Sequence, residues 1–275
     1  MNSTGGLLDK KIALITGAAR GQGRSHAVTL AQHGASILAV DVCKRVSAAS
    51  YEAATSADLR ETRRMVEEAG GRIITAEVDV RDLTTLTEFV SEGAEELGGL
   101  DVVVANAGVN VWTSLLDAGD DDPWGDTIST NLTGVYNTLR AAAPVMVRGG
   151  AGGSIVLISS AGGLKAVPGM IAYAASKFGV TGLMRAAALE LGQYNIRVNT
   201  VHPWAVDTQM GGMPAYGEEL LAANPSYADS FKQVLRDPER AVPQDISDAV
   251  LFLASPMSRT ITGVALPVDQ GNTIV

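Results

Sequence analysis

The chain has 275 residues, 46% hydrophobic and 19% charged, with 30 glycines; this excludes a disordered chain and predicts one large α/β domain, with no room for a comfortable second one. A net charge of −9 and a pI near 4.8 oppose a phosphate backbone, so nucleic acid is not an expected partner. The single cysteine forbids an intrachain disulfide and a metal knuckle, and no apolar run reaches the roughly 20 residues of a bilayer span; a cytoplasmic chain without a metal or a membrane anchor is expected, its MNSTGGLLDKK start being the reverse of a signal peptide.

In chain order, KIALIT (11–16) is the first of seven short apolar runs that lack alternation, as strands of a parallel sheet covered on both faces do. Thr16-Gly17-Ala18-Ala19-Arg20-Gly21-Gln22-Gly23 follows directly, ahead of a helix predicted over 24–33. Glycines here let the chain turn tightly, let backbone N–H groups approach a pyrophosphate, and aim a helix N-terminus at it, so Gly17, Arg20, Gly21, Gln22 and Gly23 are assigned to a dinucleotide. SILAVD (36–41) ends on Asp41, 18 residues beyond Gly23, where a carboxylate accepts from both ribose hydroxyls and repels a 2′-phosphate. NAD is therefore expected over NADP; Arg20, a basic residue in the turn, is the opposing signal. The Ala/Ser-rich stretch 42–58 is longer than such a connection needs and reads as an insertion near the site.

A helix over 59–69 leads to RIITAEVD (72–79), whose terminal Asp79 is placed to accept from an adenine amino group with Val80 packing nearby. After a helix over 83–97, DVVVAN (101–106) runs into Asn106-Ala107-Gly108, small residues expected to form the floor of the cofactor crevice. Asp120-Asp121-Asp122 before Pro123 reads as the start of a helix that continues over 124–147. SIVLIS (154–159) closes on Ser159-Ser160, and a strongly helical stretch over 171–191 carries Tyr173 and Lys177, four apart and so on one face. RVNTVH (197–202) ends on His202, read as packed, while His26 and His33 on the first helix read as structural or solvated. The segment 203–242, with Pro203, Pro214, Pro225 and Pro238 and no strand signal, reads as a substrate lid with a short helix or two. A helix over 246–254 and VALPVD (264–269) complete an alternation that predicts a doubly wound α/β domain over 1–275 with a seven-stranded parallel sheet.

In such a sheet the ligand crevice lies outside the carboxyl ends of the strands, which is where Ser160 falls. A phenol is a poor base at neutral pH, and a neighbouring ammonium favours its phenolate, so Lys177 beside Tyr173 is expected to bring Tyr173 into working range. Ser160 would bind the substrate oxygen, and Trp112, Trp204 and Met210 are expected to line an apolar pocket.

TGAARGQG (16–23), ANAG (105–108), Asn131, Ser160 and YAASK (173–177) together resemble the short-chain dehydrogenase/reductase family over nearly the whole chain. The resemblance implies a Rossmann fold. It implies a serine that orients the substrate oxygen, a tyrosine that moves its proton, and a lysine that binds the nicotinamide ribose and lowers the tyrosine's pKa. Ser160, 13 residues before Tyr173, matches the family spacing and is selected over Ser159. Asn131 corresponds to the asparagine that holds a helix kink and a water leading from the lysine, while Pro203, Val206 and Thr208 are expected at the carboxamide. The insertion, the VHPxxVxT stretch (201–208) and LPVDQG (266–271) resemble the carveol-dehydrogenase-like, mycofactocin-associated group. That narrower resemblance implies a loop that covers the adenosine end from Val42 and Cys43, holds NAD tightly and requires an external redox carrier. Trp204 departs from the small residue many members carry there.

A lipophilic secondary alcohol or ketone, such as a monoterpenoid, is the expected substrate, and the family's surfaces imply a homotetramer. The rivals are a 3-oxoacyl thioester reductase, which would use NADPH, and a non-catalytic NAD-sensing protein, which would not need Tyr173 and Lys177.

Overall fold

The computed structural model describes residues 6–46, 50–116 and 123–275. The acidic run Asp120 to Asp122 and part of the insertion lie outside the described residues. Strands β1 (Ile12–Thr16), β2 (Ser36–Asp41), β3 (Ile73–Glu77), β4 (Val102–Ala105), β5 (Gly153–Ile158), β6 (Ile196–Pro203) and β7 (Ala265–Val268) form one sheet in the order β3-β2-β1-β4-β5-β6-β7. Every pair is parallel. The strand runs in the sequence thus become seven strands within a residue or two of their expected ends, and the fold is the expected doubly wound one.

Successive residues of each strand feed opposite cores. Ala13, Ile15, Ile37, Ala39, Val102 and Val104 pack against Leu30 of α1 (Gly21–Gln32) and Ile246 and Val250 of α8 (Pro243–Ala254). Leu14, Leu38, Val40, Val103 and Leu157 pack against Leu86 and Val90 of α3 (Leu83–Leu97), Leu139 of α5 (Gly134–Gly149) and Met184 of α6 (Ile171–Leu191). Both faces are buried, which is why the strands read as continuous apolar runs. His26 is fully buried on α1, its Nδ1 2.8 Å from Ser247 Oγ on α8, and burial pushes its pKa down to about 3.

The strand order reverses between β1 and β4, and the registers Ile15↔Val104, Thr16↔Val40, Ala105↔Leu157 and Ile158↔Val201 bring the carboxyl ends of five strands to one edge. That edge is the topological switch point where ligands bind in such sheets.

Two segments refine the sequence reading. The helix expected over 124–147 is α4 (Pro123–Ile128), a π-helical turn at Ser129–Thr133, and α5. The lid holds α7 (Ala215–Ala223) and a 3₁₀ turn at Pro225–Phe231. Its ends are drawn together by Asp207 N–H donating to Ala241 O at 2.8 Å and Ala241 N–H to Ala205 O at 2.9 Å. The remaining helix, α2 (Ser56–Glu68), follows the insertion and starts with a capping box in which Thr55 and Asp58 satisfy each other's backbone N–H.

Candidate active site

The glycine turn is shaped by what a side chain would strike. A Cβ on Gly23 would lie 2.0 Å from Gly17 O, and one on Gly17, whose φ is +67°, would lie 2.8 Å from Ala107 Cα. Asn106 locks the turn to β4 by donating from Nδ2 to Thr16 O and Gly17 O at 3.0 and 3.1 Å. Thr16 Oγ1 in turn accepts from the N–H groups of Asn106 and Ala107, both at 3.1 Å. Helix α1 begins at Gly21 with no side-chain cap from Arg20, so its first-turn N–H groups remain free toward the cleft, and Gln22 Oε1 is buried without a partner. Uncapped N–H donors and a cradle closed to any Cβ fit a dinucleotide pyrophosphate.

At the adenosine end, Asp41 is 9% exposed and its two carboxylate oxygens accept from Ala19 N–H at 3.0 Å and Cys43 N–H at 3.1 Å. Each oxygen keeps a lone pair for a ribose hydroxyl. Arg20 is not available to a 2′-phosphate: its guanidinium donates to Gln209 Oε1 at 2.7 Å and to the backbone oxygen of Glu52. The opposing signal for NADP is therefore spent on joining the glycine turn to the insertion and the lid. Asp79 is held by Arg81, Nε to Oδ1 at 2.9 Å and Nη2 to Oδ2 at 2.7 Å. Burial raises the Asp79 carboxyl, but its bonds to Arg81 outweigh that and hold it below the usual range. Asp79, Val80 and Val42 line the cleft. So do Lys44, Arg45 and Val46, and Cys43, at φ 48°, donates its backbone N–H to Asp41.

Ser160, Tyr173 and Lys177 meet at the other end of the same cleft. Ser160 extends from the end of β5, its Oγ accepting from Gly162 N–H at 3.0 Å and donating to Pro203 O at 3.5 Å. Ser159 points the other way, donating to Lys177 O at 3.0 Å, which ties β5 to α6. Lys177 is 4% exposed; its Nζ donates to Ile158 O at 2.9 Å and lies 5.5 Å from the centre of the Tyr173 ring. Burial lowers the lysine to about 8. Tyr173 is raised, by burial against an opposing hydrogen bond from Ser160.

Asn131 sits in the π-helical turn, fully buried, with Oδ1 accepting from Val109 N–H at 2.7 Å and Nδ2 donating to Val109 O at 2.8 Å and Ser176 Oγ at 3.2 Å. It splices the segment after β4 to α6, and a Cβ on Gly108 would come 3.2 Å from Asn131 Oδ1 and 3.6 Å from Lys177 Nζ. His202 is packed as expected, bonded to Ser160 O at 2.7 Å and Thr200 Oγ1 at 2.8 Å, and burial brings it to about 4.

The cleft has a volume of about 1000 Å³ and runs from Asp79 to the lid. Pro203, Val206 and Thr208 line it, as do Trp112, Trp204 and Met210. Phe231 of the lid stacks on Trp112 at 5.7 Å and 13° and meets Trp204 at 6.0 Å and 46°, so three aromatic rings wall the substrate end. Phe231, Tyr51 and Asn110 were not picked out in the sequence. Nothing local marks them, since each reaches the cleft through a partner distant in the chain.

The sequence model of the family described as short chain dehydrogenase matches residues 11–215. The chain is 43% identical to the (−)-trans-carveol dehydrogenase of Rhodococcus erythropolis, over 97% of this chain and 99% of that protein. A short chain dehydrogenase from Mycobacterium paratuberculosis, solved bound to NAD, superposes with a TM-score of 0.94 at 47% identity, over 98% of this chain and 100% of that one. Carveol dehydrogenase from Mycobacterium avium, solved in complex with NAD, superposes with a TM-score of 0.91, also at 47% identity and with the same coverage.

Proposed function

The chain belongs to the short-chain dehydrogenase family, and from this premise we propose how it acts as an NAD-dependent oxidoreductase on alcohols and ketones. NAD, when bound, accepts a hydride from the carbinol carbon or returns one to a carbonyl carbon. Gly17, Gly21, Gln22 and Gly23 would hold its phosphates, Asp41 its adenosine ribose, and Lys177 its nicotinamide ribose. Ser160 Oγ orients the substrate oxygen. Tyr173 Oη takes the hydroxyl proton as the alcohol is oxidised and gives it back in reduction. Asn131 holds the π-helical turn against Val109 and so fixes the floor on which Lys177 lies.

The observation that carries this reading is the meeting of Ser160, Tyr173 and a buried Lys177 at the edge where the glycine turn also opens. Tyr173→Phe is expected to keep NAD binding and lose turnover, measured as kcat for secondary alcohols. Retention of more than about 10% of kcat would reject the role, since acid–base catalysis is worth roughly 10²–10⁴-fold.

The aromatic wall of Trp112, Trp204 and Phe231 supports a lipophilic secondary alcohol, of the size of a carveol-like terpenoid, over a charged sugar. The assignment of residues 1–275 to one NAD-binding domain, with 42–58 and 203–242 as its accessory segments, belongs to the same reading. So do a homotetramer in the cytoplasm, tight retention of NAD beneath the insertion, and reoxidation by an external, mycofactocin-type carrier. Arg20, bonded to both Glu52 O and Gln209, supports a cofactor held under a closed cover.

A further inference from the structure

Phe231 reaches the substrate wall from a segment with no core of its own. Across 224–240 no side chain is buried, and Val234 and Leu235, just beyond Phe231, are 49% and 57% exposed. Apolar burial within the 3₁₀ turn at Pro225–Phe231 therefore does not fix where the ring lies. The segment after β7 grips it instead. Asn272 is fully buried, and its Nδ2 donates to Lys232 O at 2.6 Å and, at a longer 3.4 Å, to Ser230 O. These are the carbonyls on either side of Phe231, and a side-chain amide carries two donors with which to bracket it.

The neighbours of Asn272 continue the grip. Gln270 O accepts from Val234 N–H and Leu235 N–H, both at 2.9 Å, and a Cβ on Gly271, whose φ is +80°, would lie 2.8 Å from Val234 Cβ. The gripping loop is itself braced. Asp269, 7% exposed, accepts from Gly271 N–H at 3.0 Å, Thr273 N–H at 2.9 Å and Thr273 Oγ1 at 2.7 Å. Lys165 Nζ, on the stretch between Ser160 and Tyr173, donates to Asn272 O at 3.1 Å. A line of contacts thus runs from the end of β7 through Asn272 to the ring that stacks on Trp112.

We propose that Asn272 is a positioning residue that sets the substrate wall by holding Phe231 against Trp112 and Trp204. Asn272 does not line the cleft and acts only through the carbonyls that flank Phe231. With this clamp in place, a lipophilic ring alcohol meets a fixed aromatic face. Without it Phe231 leaves that face, and the loss falls on the binding of bulky substrates, while proton transfer at Tyr173 is untouched. The inference rests on the dehydrogenase reading above and adds to it a determinant of substrate size.

The test uses the NAD-loaded enzyme and its Asn272→Ala, Phe231→Ala and doubly substituted variants, with cyclohexanol and 4-tert-butylcyclohexanol as substrates. Asn272→Ala is expected to raise KM for the butyl compound about tenfold, the scale on which a hydrophobic pocket separates substrates, and to change its kcat and both constants for cyclohexanol less than about twofold. Asn272→Leu, which fills the same space without the donors, is expected to do likewise and so separates the clamp from a cavity. In the Phe231→Ala background the Asn272 change is expected to add less than about twofold, because the two residues act as one unit. Equal losses for both alcohols, an unchanged KM, or an Asn272 effect that persists without Phe231 overturn the clamp and leave the dehydrogenase reading intact. Native mass spectrometry is expected to find bound NAD unchanged, and its loss from the Asn272 variants overturns the assignment by placing their effect on the cofactor. Tryptophan emission follows the ring without turnover: Asn272→Ala is expected to shift it to the red, as Phe231→Ala does, when water reaches Trp112 and Trp204. If the unaltered enzyme oxidises no secondary alcohol the dehydrogenase reading falls, and an emission maximum unchanged in Asn272→Ala still overturns the clamp by itself.

Discussion

Burial pushes the Tyr173 phenol up, and its hydrogen bond with Ser160 opposes that only in part. Oxidation needs the deprotonated phenol and reduction needs the protonated one, so the two directions should respond to pH with opposite sign. With the phenol raised by burial, kcat/KM for alcohol oxidation is expected to climb with pH through the neutral range, by up to about tenfold per unit. For ketone reduction it should stay flat from about pH 6 to about pH 8. Steady-state profiles in both directions decide it, and an oxidation limb that levels near neutrality would show that Lys177 controls the phenol after all. At this scale the sequence was legible where chemistry is local. Tyr173 and Lys177 are one helical turn apart, and Ser160 ends the adjoining strand. The contacts of Asp79 with Arg81 and of Arg20 with Glu52 and Gln209 were not legible there.

Among the elements, the π-helical turn at Ser129–Thr133 is tied to its surroundings by the side chain of Asn131. Periodicity over 124–147 predicts one helix, because a π turn adds one residue per turn without disturbing which residues are apolar. Asn131 satisfies both backbone groups of Val109 and reaches Ser176, and Gly134 follows where a Cβ would meet Val80 Cγ2 at 2.5 Å. Asn131→Ala leaves a buried N–H and a buried C=O without partners. The expected cost is about 2–4 kcal/mol of unfolding free energy, at roughly 1–3 kcal/mol per orphaned group with some relaxation. Urea unfolding of the variant measures this, and a midpoint unchanged from that of the parent would mean that the turn does not depend on Asn131. The lid and the insertion are read from sequence only as departures from a strand–helix rhythm. Their packing is decided by contacts such as that of Arg20 with Gln209, 189 residues apart.

For the whole molecule, several of the exposed apolar side chains lie on α6 and at the C-terminus. Ile171, Phe178 and Leu189 of α6 are 37%, 46% and 87% exposed, and Ile274 and Val275 at the C-terminus are 79% and 52% exposed. Apolar faces of this kind mark surfaces of association. Among the described residues no helix is long and apolar enough to cross a membrane. Native mass spectrometry of the purified protein is expected to give four chains with about one NAD each after extensive desalting. A cofactor-free monomer would contradict both the tetramer and the retained dinucleotide. By itself the sequence determined the seven strands, the doubly wound order, the glycine turn, Asp41 and the Ser160–Tyr173–Lys177 set, because each is written in patterns spanning a few residues or one strand–helix unit. Only the tertiary structure decided that Phe231 would stack on Trp112, that Tyr51 would cross to Asn110, and that Arg20 would reach Gln209. Those outcomes depend on which distant segments the sheet brings to one edge and on how much water they exclude there, and neither quantity is carried by any short stretch of chain.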